Sequence, residues 1–419
     1  MRLSARSAAV PGEMTHTGGR RRQTAGVTWL TWVTVVSLLA WVWLLLAQGL
    51  FWRTDVRLPS VAAEPREWPD VAVVVPARDE AEVLPRSLPS VLAQRYPGRA
   101  EVVLVDDGST DGTGELAREL AGRAEGLPLR VVSPGPVPEG WTGKLWAVRH
   151  GIEVATSSGG PEFLLLTDAD IAHGPDSLRH LVAAAQGGGL DMVSQMARLR
   201  VAGTWERLIV PAFVYFFAQL YPFRRVNRPR ARTAAAAGGC VLIRRTAVER
   251  AGVPDTIRHA VIDDVALARA VKRSGGRIWL GLADEVDSVR PYPGLTELWR
   301  MVSRSAYAQL RHSALLLTGT VLGLLLVYVV PPLATIGGAL TGDGWLGAAG
   351  AAAWALMCGT YLPMLRYYRR PPWPALLLPF TAVLYLLMTV DSAVQHGRGR
   401  GAAWKGRTYA RPRPDDASA

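Results

Sequence analysis

Glu101-Val-Val-Leu-Val-Asp-Asp-Gly-Ser-Thr-Asp-Gly, residues 101–112, decides the fold of this chain. Glu101–Val105 is an apolar, β-branched run and reads as a strand that ends at Asp106. Gly108–Thr113 supplies the turn, and Gly114–Gly122 reads as a helix. Upstream, Asp70-Val-Ala-Val-Val-Val-Pro is a continuous β-branched run, the mark of a strand buried on both faces. Arg78–Gln94 follows with Leu84, Leu88, Val91 and Leu92 on one side of a helix, weakened locally by Pro89. Downstream come a short strand at Leu129–Val132, a helix at Lys144–Ala155 and a buried strand at Phe163-Leu-Leu-Leu-Thr. Strands alternating with helices predict an α/β fold with a largely parallel, doubly wound sheet. Asp106 and Asp107 then stand at the carboxyl end of a strand, the edge where such sheets bind ligands.

Two more acidic patches follow, Thr167-Asp-Ala-Asp and Ile262-Asp-Asp, in a chain whose formal net charge is +12. Asp168 and Asp170 are two apart, so in extended geometry both point the same way. Mg2+ and Mn2+ take oxygen ligands, often one or two carboxylates completed by substrate phosphates, and either ion would suit this pair. The structural alternative, plain turn chemistry, loses ground because the pair follows a buried strand. Asp263 and Asp264 open a helical stretch, Val265–Lys272, where one acid is explained by the helix dipole and a second is left over. That second acid is a candidate general base. His259 reads as a structural hydrogen-bonder.

The 419 residues leave room for one large or two modest domains, and the apolar excess lies at the two ends. Ala25–Trp52 is long enough to cross a bilayer and has no small-residue cleavage site after it, so it reads as a retained anchor. Three more apolar stretches lie at about 314–340, 345–365 and 373–394. The expected divisions are a disordered tail at 1–24, an anchor at 25–52, a catalytic domain at 53–313, two or three transmembrane helices within 314–396, and a basic tail at 397–419. The cysteines, Cys240 and Cys358, are far apart, which argues against a disulfide framework and suits a reducing compartment. Arginines cluster beside the apolar stretches, at 20–22, 224–225, 366–370 and 398–407, a pattern suited to anionic lipid headgroups. No nucleic-acid motif is present, and nucleic acid is not an expected partner.

Taken together, these residues resemble the family 2 glycosyltransferases, whose GT-A (Rossmann-like) fold uses a nucleotide-sugar donor. The resemblance covers about residues 70–312 and the membrane layout. Val-Val-Pro-Ala-Arg-Asp-Glu at 74–80 matches the opening strand and loop, which implies donor contacts at Pro76, Ala77, Arg78 and Glu80. Leu104–Asp111 matches the nucleotide-binding motif, with Asp106 or Asp107 at the nucleoside. Gly143-Lys144 resembles a donor-approaching segment. Asp168-Ala-Asp170 falls where the metal-binding Asp-x-Asp belongs, for Mg2+ or Mn2+. Gly238-Gly239-Cys240 resembles the small-residue loop at the acceptor. Asp263-Asp264 stands where the family has Glu-Asp, the second acid being its base.

The chain departs from the family at Trp299-Arg-Met-Val-Ser-Arg-Ser-Ala-Tyr (299–307), where Gln/Arg-x-x-Arg-Trp is usual. Arg304 can supply the cation, but Met301 replaces the first residue and the Trp is missing, which argues against a processive polysaccharide synthase. Gly-Trp-Thr-Gly-Lys-Leu-Trp-Ala (140–147), the 301–307 stretch and Trp404-Lys-Gly-Arg407 resemble the hopene-associated branch. The resemblance implies an inverting transfer to a membrane lipid, hopanoid-related or else a polyprenyl phosphate. A catalytically silent scaffold is the alternative from another class. Aromatic-rich Trp205–Phe223 and arginine-rich Leu295–Arg311 read as interfacial helices, or as core helices packed on the sheet. Cytoplasmic nucleotide sugars put the catalytic domain inside the cell membrane, whereas Arg20–Arg22 argues for an internal N-terminus. With three later spans the Arg-rich tail would also lie outside, so one of the last segments is expected to be re-entrant or interfacial, leaving three to four spans. Oligomeric state is not legible.

Overall fold

The computed structural model describes residues 18–58, 64–157 and 159–399, and the backbone of 403–404 and 407–408. The expected tails at 1–17 and beyond 408 lie outside the described residues, and the first helix already begins at Gly18. Eight strands form the main sheet: β1 (Val71–Ala77), β2 (Ala100–Asp106), β3 (Leu129–Val132), β4 (Phe163–Thr167), β5 (Ile171–His173), β6 (Met192–Arg198), β7 (Cys240–Arg244) and β8 (Ile278–Ser288). Their order is β3-β2-β1-β4-β7-β6-β8-β5. The expected parallel block, β3-β2-β1-β4, is present, with Val71 opposite both Ala100 and Phe163. Beyond it the sheet is mixed: β7 runs antiparallel to β4 and β6, β8 is parallel to β6, and β5 is antiparallel to β8. This mostly parallel sheet with its antiparallel flank is a GT-A-like arrangement.

Alternation along the buried strands divides the core in two. Val71, Val73, Val75, Val102 and Leu104 face the helices Leu84–Leu92, Thr113–Arg123 and Ser177–Gly188. Ala72, Val74, Val103 and Val105 face the opposite way, toward Gly143–Thr156. There the helix needs Gly151, because a Cβ would meet Val105 Cγ2 at 2.9 Å. The second core continues without interruption into the apolar helices.

The helix Thr204–Leu220 carries that continuity. Tyr215 is fully buried and its hydroxyl lies 2.8 Å from Thr360 Oγ1, Tyr385 donates to the Ile209 carbonyl at 3.2 Å, and Tyr328 donates to Gln219 Oε1 at 2.6 Å. This segment is therefore neither an open interfacial helix nor a helix confined to the sheet; it is clamped between catalytic domain and apolar bundle.

Four helices are long and apolar enough to cross a membrane: Trp29–Leu46, Ala314–Thr341, Gly344–Tyr367 and Trp373–Gly397. The second contains a π-helical turn at Leu325–Val329 just before Pro331-Pro332. It closes on the third where Gly338 meets the Gly347 backbone, small residues allowing close approach. The fourth has both ends beside the catalytic domain. Tyr367, six residues before it, donates to the Ala283 carbonyl of β8 at 2.6 Å. At its far end Asp391 accepts from Trp299 Nε1 at 2.8 Å, Ser392 accepts from the Tyr307 amide at 3.1 Å, and His396 stacks on His312 at 4.2 Å.

Candidate active site

Asp168 and Asp170 sit in the turn between β4 and β5, which is pinned from several sides. The buried Thr167 hydroxyl donates to the Gly239 carbonyl at 2.7 Å and lies 2.9 Å from His173 Nε2. Burial drives His173 down to about 4, so its ring is neutral and structural. Ser87 donates to the Ala169 carbonyl at 2.5 Å, and the Val289 amide to the Asp170 carbonyl at 2.9 Å.

The two acids are held by different cations. Lys144, in the first turn of its helix, reaches Asp168 Oδ1 at 2.8 Å and Asp263 Oδ2 at 3.0 Å. Burial works against the charge on Lys144, but Asp168 and Asp263 outweigh it and raise its pKa. For Asp168, burial and then the neighbouring acids raise the pKa, while Lys144 pulls it back. Asp170 Oδ2 accepts from Ser288 Oγ at 2.9 Å and Arg290 Nε at 3.1 Å. Arg290 also clasps both carboxylate oxygens of Glu80, at 2.8 and 2.7 Å. Glu80 thus reaches the site through Arg290, which the sequence reading did not single out.

Asp264 lies one residue into the helix Asp263–Arg273 and behaves differently from its neighbour. Its Oδ2 accepts from the Gly238 amide at 3.0 Å and its Oδ1 from the Val265 amide at 2.7 Å. Burial and then the charge of Asp263 push its carboxyl up to about 7, against the pull of Lys144 and the two amides. Gly238 packs against both, and a Cβ there would stand in ordinary van der Waals contact, 3.4 Å from Asp264 Cβ and 3.5 Å from Lys144 Nζ.

A cleft of about 610 Å³ opens over this cluster. Pro76, Glu80, Lys144, Asp168, Asp170, Asp263, Arg290 and Arg304 line it, and it runs on to Tyr307, His312, Ser392 and His396 at the apolar bundle. A smaller cavity of about 40 Å³ shares Pro76, Lys144, Asp168 and Asp263 with it and is lined by Gly238 and Asp264. Asp263 therefore faces the main cleft, and Asp264 the side cavity. Arg300 and Arg304 are exposed along the cleft and make no ion pair among the described residues.

The other expected residues divide. Arg78 reaches Asp107, donating to its carbonyl and standing 3.8 Å from its carboxylate, while Asp106 Oδ1 accepts from the Ser109 amide at 2.9 Å. With Asp79 bonded to Thr110 at 2.8 Å, these contacts lock the loop after β1 to the loop after β2. Asp106, Asp107, Ala77 and Arg78 are not among the residues lining the cleft; Ala77 is fully buried in β1. Gly239 packs on Ile171, and Cys240 is fully buried in β7, so the small-residue loop reaches the site only at Gly238. His259 is exposed and makes no hydrogen bond among the described residues, a correction to its expected structural role.

Five acids, Glu80, Asp168, Asp170, Asp263 and Asp264, meet two cations in contact, Lys144 and Arg290, so the cluster carries excess negative charge. No group of three or more His, Cys, Asp or Glu among the described residues converges to hold a metal unaided. Asp168 and Asp170 each keep one carboxylate oxygen without a hydrogen bond among the described residues, at the edge of the cleft. That donor set fits a divalent ion completed by a substrate's phosphates.

Residues 72–252 match the family described as Glycosyl transferase family 2. Glycosyltransferase AglE of Haloferax volcanii is 33% identical over 126 residues, 30% of this chain and 38% of that protein. An undecaprenyl-phosphate 4-deoxy-4-formamido-L-arabinose transferase of Aeromonas hydrophila is 35% identical over 143 residues, 33% of this chain and 39% of that protein. The β-monoglucosyldiacylglycerol synthase of Synechocystis is 31% identical over 183 residues, 39% of this chain and 36% of that protein. The chain thus spans less than two fifths of the length of each of these relatives. In fold, it resembles the mannosyltransferase PcManGT from Pyrobaculum calidifontis, solved with GDP-Man and Mn2+, with a TM-score of 0.51 at 20% identity, covering 85% of this chain and 99% of that one.

Proposed function

The chain carries a glycosyltransferase family 2 domain over residues 72–252, and from that premise we propose that it moves a sugar from a nucleotide-diphosphate donor to a membrane lipid. The observation that carries this reading is the single cleft joining the Lys144–Asp168–Asp170 cluster to the apolar bundle at Ser392 and His396. A soluble donor enters over the acids, and a lipid acceptor comes from the bundle side. A divalent ion, Mg2+ or Mn2+, held by Asp168 and Asp170 would neutralise the donor's diphosphate. Lys144 and Arg304 add fixed positive charge near the leaving group, and Asp106 or Asp107 with Arg78 serves the nucleoside. Glu80 and Ser288 position Arg290 and Asp170.

The acceptor's hydroxyl oxygen attacks the anomeric carbon as the bond from that carbon to the diphosphate oxygen breaks. The hydroxyl proton goes to Asp264, and the nucleoside diphosphate leaves. This single displacement inverts the anomeric centre. Asp264 suits the role of base better than Asp263, because Asp263 is engaged by the Lys144 ammonium while the Asp264 carboxyl is raised to about 7. The acceptor is a lipid of the hopanoid-related class. Arg300 and Arg304, unpaired along the cleft, favour a second reading in which the acceptor carries a phosphate, such as a polyprenyl phosphate. Membranes supplied with one radiolabelled nucleotide sugar at a time and with each lipid class test both readings. Label in the organic phase supports them, the lipid that takes it chooses between them, and nucleotide-sugar turnover absent altogether points to a silent scaffold.

The domain is proposed to face the cytoplasm, where nucleotide sugars are made. Arg366, Arg369, Arg370 and Arg398 all lie at helix ends beside the catalytic domain, whereas the turn at Gly342–Asp343 on the far side has none, in line with the positive-inside rule; Arg20–Arg22, at the start of the first helix, run against it.

A further inference from the structure

A second cavity, of about 360 Å³, lies away from the cleft, where the helix Gly344–Tyr367 ends against the catalytic domain. Its walls are Thr54, Arg57, Arg198, Asp284, Pro363, Arg366, Tyr367 and Arg369, four arginines against one carboxylate. We propose that it binds the phosphate headgroup of an anionic membrane phospholipid. The proposal does not rest on the glycosyl-transfer reading.

Two of the arginines are fixed by the protein. Arg57 Nη1 meets Asp284 at 2.6 Å and its guanidinium lies 5.0 Å above the Tyr367 ring; Arg198 Nε meets Asp287 at 2.7 Å. Tyr367 is itself anchored to the Ala283 carbonyl. The other two, Arg366 and Arg369, are exposed, and their side chains make no ion pair or hydrogen bond among the described residues. Planar guanidinium forks recognise phosphate oxygens in pairs, and with Asp284 and Asp287 engaged by Arg57 and Arg198, the charges of Arg366 and Arg369 are left over for an anion. The cavity's place selects the source of that phosphate. Pro363, Arg366 and Tyr367 belong to the last turns of a helix apolar enough to span the bilayer, so the cavity sits at headgroup depth on the catalytic side. A lipid held there would tie together the chain after the first apolar helix at Thr54 and Arg57, the neighbouring strands β6 and β8, and the end of the third span.

Native mass spectrometry of the full-length protein in neutral detergent tests this, with phosphatidylglycerol and phosphatidylcholine titrated separately. The expected result is one tightly retained phosphatidylglycerol, no comparable phosphatidylcholine, and about a tenfold or greater loss of affinity in the double variant Arg366→Gln/Arg369→Gln. Arg118→Gln/Arg123→Gln, which removes the same charge from an exposed helix elsewhere, is expected to leave retention unchanged. Inorganic phosphate at the lipid's concentration is expected not to displace it. Three results would each overturn the proposal: equal loss in both double variants, which means unspecific charge attraction; equal retention of phosphatidylcholine; or displacement by inorganic phosphate, which makes it a soluble-anion site. Both double variants change only exposed arginines, and size-exclusion chromatography confirms that each is folded before titration.

Discussion

A carboxylate is a more effective base near neutrality when its pKa is raised toward the working pH. Asp264 meets that condition, raised to about 7 by burial and by Asp263. The base must be ionised, so transfer is expected to rise with pH through about 7 and fall away below it, read as the acid limb of kcat/KM. Stability runs the other way: the folded state holds this proton more tightly than the unfolded chain, so ionisation between about pH 4 and 7 costs stability. Asp264→Asn keeps an oxygen for the Gly238 amide but not for the Val265 amide, so it should lose that slope, lose about 1 kcal/mol of stability, and lose about 10²–10⁴-fold in turnover. Near-normal turnover in that variant would remove Asp264 as base. Lys144, Asp168, Asp170 and Asp263 were legible in the sequence because each ends or follows a strongly patterned element. Arg290 and Ser288 were not, since they meet Asp170 across 120 and 118 residues, through the β5–β8 pairing alone.

The elements that present these residues differ in how plainly the sequence announces them. The block β1 to β4 is written in continuous Val and Leu runs separated by helical spacing, and every element expected there is present, the first helix shortened to Leu84–Leu92. The antiparallel flank is not so written, because β5 is three residues long and β7 pairs with a strand laid down 73 residues earlier, Thr167 facing Cys240. Arg290 fastens this flank to the loop after β1 through Glu80, which is only 8% exposed. Arg290→Met therefore takes the bidentate cationic partner from a buried carboxylate. The loss expected in urea unfolding is about 2 kcal/mol, below the roughly 3–5 of a fully buried pair because Arg290 keeps some contact with water. A variant as stable as the parent would show that the clasp contributes nothing. On the opposite face, Gly151→Leu is expected to cost about 1–3 kcal/mol by forcing the helix off Val74 and Val105.

At the scale of the molecule, chain length bears on how many times the chain crosses the bilayer. Tyr367 is bonded to β8, and the six residue steps from it to Trp373 reach at most about 22 Å, short of the roughly 30 Å hydrocarbon core. The helix Trp373–Gly397 therefore cannot start on the far side, and Trp299, Tyr307 and His312 hold its other end on the near side. Hydropathy alone counts four candidate spans; from these contacts we infer three crossings and one re-entrant helix, which brings the chain after Gly397 to the catalytic side and leaves Arg20–Arg22 across the membrane from it. The consequence is that Gly399 and the catalytic domain share a side. A cysteine at Thr341→Cys is expected to react with an impermeant maleimide on intact cells, and Gly399→Cys only after lysis; labelling of Gly399→Cys on intact cells would contradict the re-entrant assignment. The same geometry makes the end of that helix part of the cleft, which is why transfer to lipid is the central claim. Its most direct measurement is the incorporation of radiolabelled sugar from nucleotide sugars into organic-extractable lipid by membranes carrying the wild-type chain or Asp264→Asn. Label in lipid with the wild type, stimulated by Mg2+ or Mn2+ and reduced at least a hundredfold in the variant, is the expected result. Label found only in water-soluble product, or equal labelling by both chains, would contradict it.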